Sequence, residues 1–380
     1  MNVLILSLIV VLTLLVVAGL ACLVWRLLRR RRSTDPVLDQ SWRECRAAVE
    51  GSPWWLVLGA SGSGKSGLLG ESGLAWNLRP AAGAVNALPR LWRHDGGGLI
   101  ELPGAWVEQP AASDGWLHWL ARVRQVRRRG PPCGVIACIP LSDLLRKGPT
   151  WISATAAALH ARGAELADAI GSNPPLYIVL TKADHIGGYK DFFAGLAEVE
   201  RQQVLGMTFP WPMSGQPAAA WQAEHRALVE ALRARRPLGL MRARDGEAAR
   251  KMFQFPAQLE GLVQPVGDLV GQLVRPGREG CLLRGVYLSS CHRAVPTALP
   301  LTMRGERTDL ERSVYLGSGR AAPSTGGAGH FSHALLARVL PEDRQLARPT
   351  HDRRRSHQRV RIVATWILPI ASAACTLWLL

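Results

Sequence analysis

The chain has 380 residues, 48% of them hydrophobic, and a net charge of +17, so it is long enough for a globular core but distributes both properties unevenly. Its seven cysteines form no CxxC pair and no zinc-ligand spacing with histidine; reduced, structural thiols are expected, and the helically spaced His330 and His333 have no third ligand nearby. Ten arginines lie beside the terminal apolar runs, and the excess of about seven charges left without them is not interleaved with stacking aromatics, so no nucleic-acid partner is expected.

Residues 3–25 are almost uninterruptedly apolar, enough for a helix to cross roughly 30 Å of hydrocarbon. A signal peptide would have a shorter core preceded by positive charge, whereas here Arg26 and Arg29 to Arg32 follow it, so residues 1–25 are expected to be an uncleaved transmembrane helix. A second span is expected over 362–380, preceded by Arg353, Arg354, Arg355, Arg359 and Arg361. Both arginine clusters face the middle of the chain. The positive-inside rule therefore places that middle in the cytosol of a bacterial cell, in a multi-pass inner-membrane protein whose basic linkers, 26–50 and 346–361, meet anionic membrane lipids.

Between the spans, apolar strand candidates alternate with helical stretches, the pattern of an α/β domain with a parallel sheet. The candidates are WWLVLG from Trp54, GLIEL from Gly98, GVIACI from Gly134, LYIVLT from Leu176 and RGVYLSS from Arg284. Trp116, Trp119, Leu120 and Val123 recur at three- and four-residue spacing and predict a helix over 113–129 that packs on the sheet. The domain is expected to run over 51–190, to be interrupted by a helical subdomain over 191–275, and to resume over 276–345, with a loop over 321–329.

Residues 59–66 read GASGSGKS, a complete GxxxxGK[ST] phosphate-binding loop after a strand and before a helical stretch. Gly59, Gly62 and Gly64 give the loop its turns, and the N–H groups from Ser61 through Ser63 to Lys65 are expected to wrap phosphate. The Lys65 ammonium would neutralise the terminal charge and the Ser66 hydroxyl would ligate Mg2+. Thr181, Lys182 and Asp184, in TKAD at the end of LYIVLT, match a base-recognition element in which the Asp carboxylate pairs with guanine. The expected ligand is GTP or ATP with Mg2+. Glu101 opens the ELPG sequence where an active switch reads DxxG, and is a second candidate Mg2+ ligand and a weak catalytic candidate. Its extra methylene misplaces the carboxylate. No threonine lies between Ser66 and Thr150, and Leu102 and Pro103 offer no group to orient water, so weak or absent hydrolysis is expected.

The order of these elements resembles the IcmF/TssM family of type VI secretion inner-membrane proteins. The likeness runs through PWWLVLGASGSGKSGLLGESGL, GLIELPG, GVIACIPLSDLL, LYIVLTKADHIGGYKDFF, GMTFPW, FPAQLEGL, LLRGVYLSS and HFSHALLARVLPED. GMTFP and LLRGVY carry no generic meaning and are the more diagnostic for it. The resemblance implies a membrane-embedded scaffold for a contractile injection machine, whose cytosolic NTPase-like domain contacts other membrane-complex and baseplate subunits and further copies of itself. Three departures accompany it: one span where members have a hairpin of two, ELPG for a DTAG-like switch, and an end at Leu380 where members continue into a periplasmic domain. A shortened or truncated form is therefore expected, with an active membrane-tethered GTPase or ATPase, or a decayed fragment, as the other readings.

Overall fold

Residues at alternate positions of a strand point to opposite faces, and here both faces are apolar. In the computed structural model, which describes residues 35–80, 87–109, 114–127, 130–210, 215–274, 280–291, 329–346 and 348–349, all five strand candidates are strands. With two further ones they form a seven-stranded sheet. In chain order the strands are β1 (Trp54–Leu58), β2 (Arg90–His94), β3 (Gly97–Glu101), β4 (Gly134–Pro140), β5 (Ser172–Asn173), β6 (Pro175–Thr181), β7 (Leu205–Thr208), β8 (Leu282–Leu288) and β9 (Arg348–Pro349). The sheet order is β2-β3-β1-β4-β6-β8-β7, and the short β5 pairs only with β9. Trp54, Leu56 and Leu58 of β1 join one core while Trp55 and Val57 join another on the opposite face, and β4 and β6 divide in the same way.

The expectation of a parallel sheet needs correction. The inner strands are parallel, but β2 and β7, at the two edges, run antiparallel to β3 and β8. Neither was visible as an apolar run, because edge strands are short and polar. β2 reads RLWRH, and it joins β3 through Asp95-Gly96, a two-residue turn whose composition is itself a hairpin signal. β7 is LGMT, inside the region 191–275 that was expected as a helical subdomain; that region supplies helices and also closes the sheet edge.

Helices pack on both faces of the sheet, most of them on the first. In chain order they are α1 (Pro36–Ala48), α2 (Lys65–Gly70), α3 (Ala105–Glu108), α4 (Asp114–Val126), α5 (Leu141–Arg146), α6 (Gly148–Ile170), α7 (Tyr189–Phe193), α8 (Glu198–Arg201), α9 (Pro217–Leu240), α10 (Gly246–Glu260) and α11 (Val263–Leu273). The helix predicted over 113–129 is α4, and it buries Trp116, Trp119, Leu120 and Val123 as its spacing required. Trp119 meets Trp42 of α1 edge-on at 4.7 Å between ring centres, and Trp106 packs on both Trp116 and Trp119. Asp39 of α1 closes the group by accepting from Arg122 at 2.7 and 2.8 Å and pairing with His118 at 2.7 Å. In α9 to α11 the fully buried Trp221 donates to the Val263 carbonyl at 2.9 Å and stacks on His225, which bonds the Leu259 carbonyl at 2.9 Å.

The opposite face is covered by Leu68 and Leu69 of α2 and by Leu335, Leu336, Val339 and Leu340. These last four belong to the HFSHALLARVLPED segment. Among the described residues no helix is long and apolar enough to cross a membrane, and both expected spans, their arginine clusters and residues 321–328 of the expected loop lie outside them.

Candidate functional site

From β1 the chain proceeds to β3 on one side, and from β3 to β4 on the other, so β1 stands where the winding reverses. In open α/β sheets that crevice, beyond the carboxyl ends of the strands, is the place for ligands. The loop 59–66 leaves β1 there. Gly64 has φ +86° at the start of α2, and a Cβ on it would lie 3.0 Å from the Thr181 side chain, so glycine answers both the left-handed backbone and the lack of space. Gly62, also at positive φ, forms the exposed tip.

Lys65 is almost wholly buried and turned into its own loop, where Nζ donates to the Gly59 carbonyl at 2.7 Å and the Ala60 carbonyl at 2.8 Å. Burial lowers its pKa from the ordinary lysine range, partly opposed by the Glu101 carboxylate. The Thr181 hydroxyl donates to the Ser63 carbonyl at 2.6 Å and thereby ties the TKAD turn to the phosphate loop. That gives Thr181 a bracing position. Lys182 has the left-handed φ of +59°, rare for a residue with a side chain, and this sharp reversal at the end of β6 starts the short turn that carries Asp184. Among the described residues Ser63 Oγ and Asp184 Oδ1 are buried without a hydrogen-bond partner.

The two candidate Mg2+ ligands do come together. The Ser66 hydroxyl donates to Glu101 Oε1 at 2.8 Å, and Glu101 is buried. Three residues that the sequence reading did not single out complete this corner. Arg90 Nη2 donates to Ser66 Oγ at 2.6 Å and to Glu101 Oε1 at 2.5 Å, and Trp92 Nε1 donates to Glu101 Oε2 at 3.1 Å. Glu108, on α3, accepts from Ser61 N at 2.7 Å and from the Ser61 hydroxyl at 3.3 Å. The Asp95-Gly96 turn was the available signal for the first two, because a hairpin there sets Arg90 directly opposite Glu101 and Trp92 two residues further along. Gly104 of ELPG lies so close to the loop that a Cβ on it would stand 2.3 Å from Ser61 N. The segment after β3 therefore rests on the phosphate loop. His330 and His333 belong to no group of three or more metal-ligating side chains among the described residues.

A family model, the IcmF-related N-terminal domain, matches residues 109–368. The type VI secretion system component TssM1 of Pseudomonas aeruginosa (strain PAO1) is 29% identical over 351 residues, covering 86% of this chain and 31% of that protein. The chain thus spans about a third of the length of this curated relative. Among solved structures, the signal recognition particle receptor SRb-GTP/SRX complex from Chaetomium thermophilum is 17% identical with a TM-score of 0.25, over 35% of this chain and 70% of that one. The small COPII coat GTPase SAR1 from Encephalitozoon cuniculi in complex with GDP is 10% identical with a TM-score of 0.25, over 67% and 76%. An NFeoB mutant of S. thermophilus bound to GDP is 11% identical with a TM-score of 0.24, over 58% and 95%. The family model spans well over half of the residues and includes β4, β6, β7 and β8 with the TKAD turn. The chain belongs to the IcmF/TssM family.

Proposed function

We propose that this chain is an inner-membrane scaffold component of a type VI secretion membrane complex, and that its central domain binds a purine nucleotide and turns it over weakly or not at all. Family membership supports the first half. The observation that supports the second is the Thr181 bond to the Ser63 carbonyl at 2.6 Å, which sets the TKAD turn against the phosphate loop. Lys65, with the N–H groups of 61–65, would meet the phosphates, and Asp184 the base, with guanine favoured over adenine. When bound, the nucleotide supplies the charge that Lys65 would leave its two carbonyls to meet.

Poor turnover is supported by the neighbourhood of Ser61. Glu108 takes its N–H and hydroxyl, the Gly104 backbone abuts it, and Leu102 and Pro103 bring no polar side chain to hold an attacking water. Phosphoryl transfer depends almost wholly on positioned groups of that kind. A cytosolic placement of the domain, spans at 1–25 and 362–380, membrane lipids against the arginine clusters, and contacts with other secretion subunits or further copies of the chain belong to the same reading.

The test is a titration of the full chain in detergent with fluorescent guanine and adenine nucleotides, beside Lys65→Ala, while inorganic phosphate release is followed. Saturable binding that Lys65→Ala weakens by about 100-fold, without steady release, is the expected result; removing a charge-assisted phosphate contact commonly costs this order. Sustained Lys65-dependent release would replace the scaffold by an active NTPase. No saturable binding by the folded chain would end the nucleotide reading.

A further inference from the structure

The corner of the pocket expected to hold a divalent cation is closed by the protein's own side chain. Mg2+ takes oxygen ligands at about 2.0–2.1 Å in nearly ideal octahedral geometry. The two oxygens that would reach it, Ser66 Oγ and Glu101 Oε1, are bonded to each other at 2.8 Å, and both accept from Arg90 Nη2 at 2.6 and 2.5 Å. Glu101 Oε2 is taken by Trp92. A cation entering here would have to evict the guanidinium from both oxygens while the Arg90 backbone remains directly opposite Glu101 in the β2–β3 register. As arranged, this donor set does not fit Mg2+.

It does fit an arginine that serves in the metal's place. A guanidinium stays protonated at any working pH and offers five N–H donors in a planar fork suited to phosphate oxygens. Among the described residues only Nη2 of Arg90 is engaged, and none of them accepts from its Nε or Nη1 hydrogens. Glu101 and Ser66 hold the fork by one corner. The longer glutamate side chain, a defect for holding Mg2+, becomes the means of reaching an arginine across the hairpin.

We propose that Arg90 replaces the divalent cation, so that the domain binds a nucleoside di- or triphosphate without metal. This rests on the nucleotide-binding reading and goes beyond it, because it assigns the phosphate counter-charge to a residue that no motif contains. A single delocalised positive charge neutralises less of a polyphosphate than Mg2+ does, which agrees with a pocket built to hold nucleotide rather than to split it.

The experiment measures binding of mant-GDP and mant-ADP to the full chain in detergent, once with Mg2+ and once with EDTA. For the wild type, the affinity in EDTA is expected within about threefold of that in Mg2+, since no phosphate contact passes through a metal. Arg90→Met, which keeps the length and loses the charge, should weaken binding in EDTA about tenfold or more, and Arg90→Lys should restore part of it. Wild-type binding that EDTA weakens more than about tenfold would overturn the proposal while leaving the nucleotide reading intact. So would an Arg90→Met variant that binds as the wild type does in EDTA. Absence of binding in either buffer overturns both readings, and the wild-type comparison decides without depending on the folding of any variant.

Discussion

Two buried arginine–carboxylate pairs stand at opposite edges of the same sheet, Arg90 with Glu101 at the β2 edge and Arg284 with Asp343 near the β7 edge. Their burial is similar, at 18% and 2% side-chain exposure for the first pair and 17% and 8% for the second. Their completeness differs. Arg284 is held on several sides: Nε and Nη2 donate to the two Asp343 oxygens at 2.7 and 3.0 Å, and Nη1 donates to the Phe209 carbonyl. The Tyr177 hydroxyl adds a third bond to Asp343 at 3.0 Å, and burial together with the Asp343 charge raises the phenol's pKa, keeping it a donor. Arg90 reaches its two partners through one nitrogen. The saturated pair fastens three chain segments; the unsaturated one joins β2, β3 and the phosphate loop through a single guanidinium nitrogen.

The sharpest way to break that comparison is to remove one partner from each pair. Arg284→Met removes both guanidinium bonds and the counter-charge from buried Asp343, leaving it the neutral Tyr177 hydroxyl, and is expected to cost about 3 kcal/mol of stability, which denaturant titration would register. Arg90→Met leaves Glu101 with Ser66 and Trp92 still donating to it, so its cost should be smaller, about 1 kcal/mol. Equal losses in the two variants would make both pairs structural and remove the reason to treat Arg90 as a ligand group.

The same contrast explains what could be read in advance. Continuous apolar runs marked β1, β3, β4, β6 and β8, because strands covered on both faces need no polar residues. The phosphate loop and TKAD were legible because their backbone geometry admits few residue types. Arg90 and Trp92 were legible only through the Asp95-Gly96 turn that sets the β2–β3 register, and Glu108 not at all, since its role comes from the packing of α3. GMTFP, LLRGVY and the LPED end of the last family segment had no meaning as strings. In the fold Phe209, Arg284 and Asp343 of those three segments meet in a single hydrogen-bonded group, and Phe209 N donates to the Arg284 carbonyl at 2.8 Å.

Acid sharpens the comparison in a different way, because neither arginine loses its proton between pH 5 and 8. The buried imidazoles do respond. Burial lowers the pKa of His225 below 6.5 against the pull of the Leu259 carbonyl, and burial likewise lowers that of His94 beside the β2–β3 turn. Where the folded value lies below the unfolded one, the unfolded chain binds more protons, so this contribution is present above about pH 6.5 and is lost as pH falls through the folded value. Stability should decline below pH 6.5, by no more than about 1.4 kcal/mol per pH unit for each histidine. His225→Gln should flatten part of that decline in a series of melting curves; an unchanged slope would assign it elsewhere.

The smallest change in stability is expected at Asp184 of the TKAD turn, and it is informative because it is small. Among the described residues Asp184 Oδ1 is buried without a partner, so Asp184→Asn gives up no hydrogen bond at that oxygen. Its melting temperature should stay within about 2 °C of the wild type or rise, which corresponds to well under 1 kcal/mol. On the nucleotide reading, the base would complete the hydrogen bonds of this carboxylate. The same variant should therefore lose its preference for guanine over adenine by about tenfold or more in a competition titration, since a site built to hydrogen-bond a group discriminates strongly when that bond is lost. Loss of stability with unchanged base preference would make Asp184 a bracing residue like Thr181, and would move base recognition out of the TKAD turn.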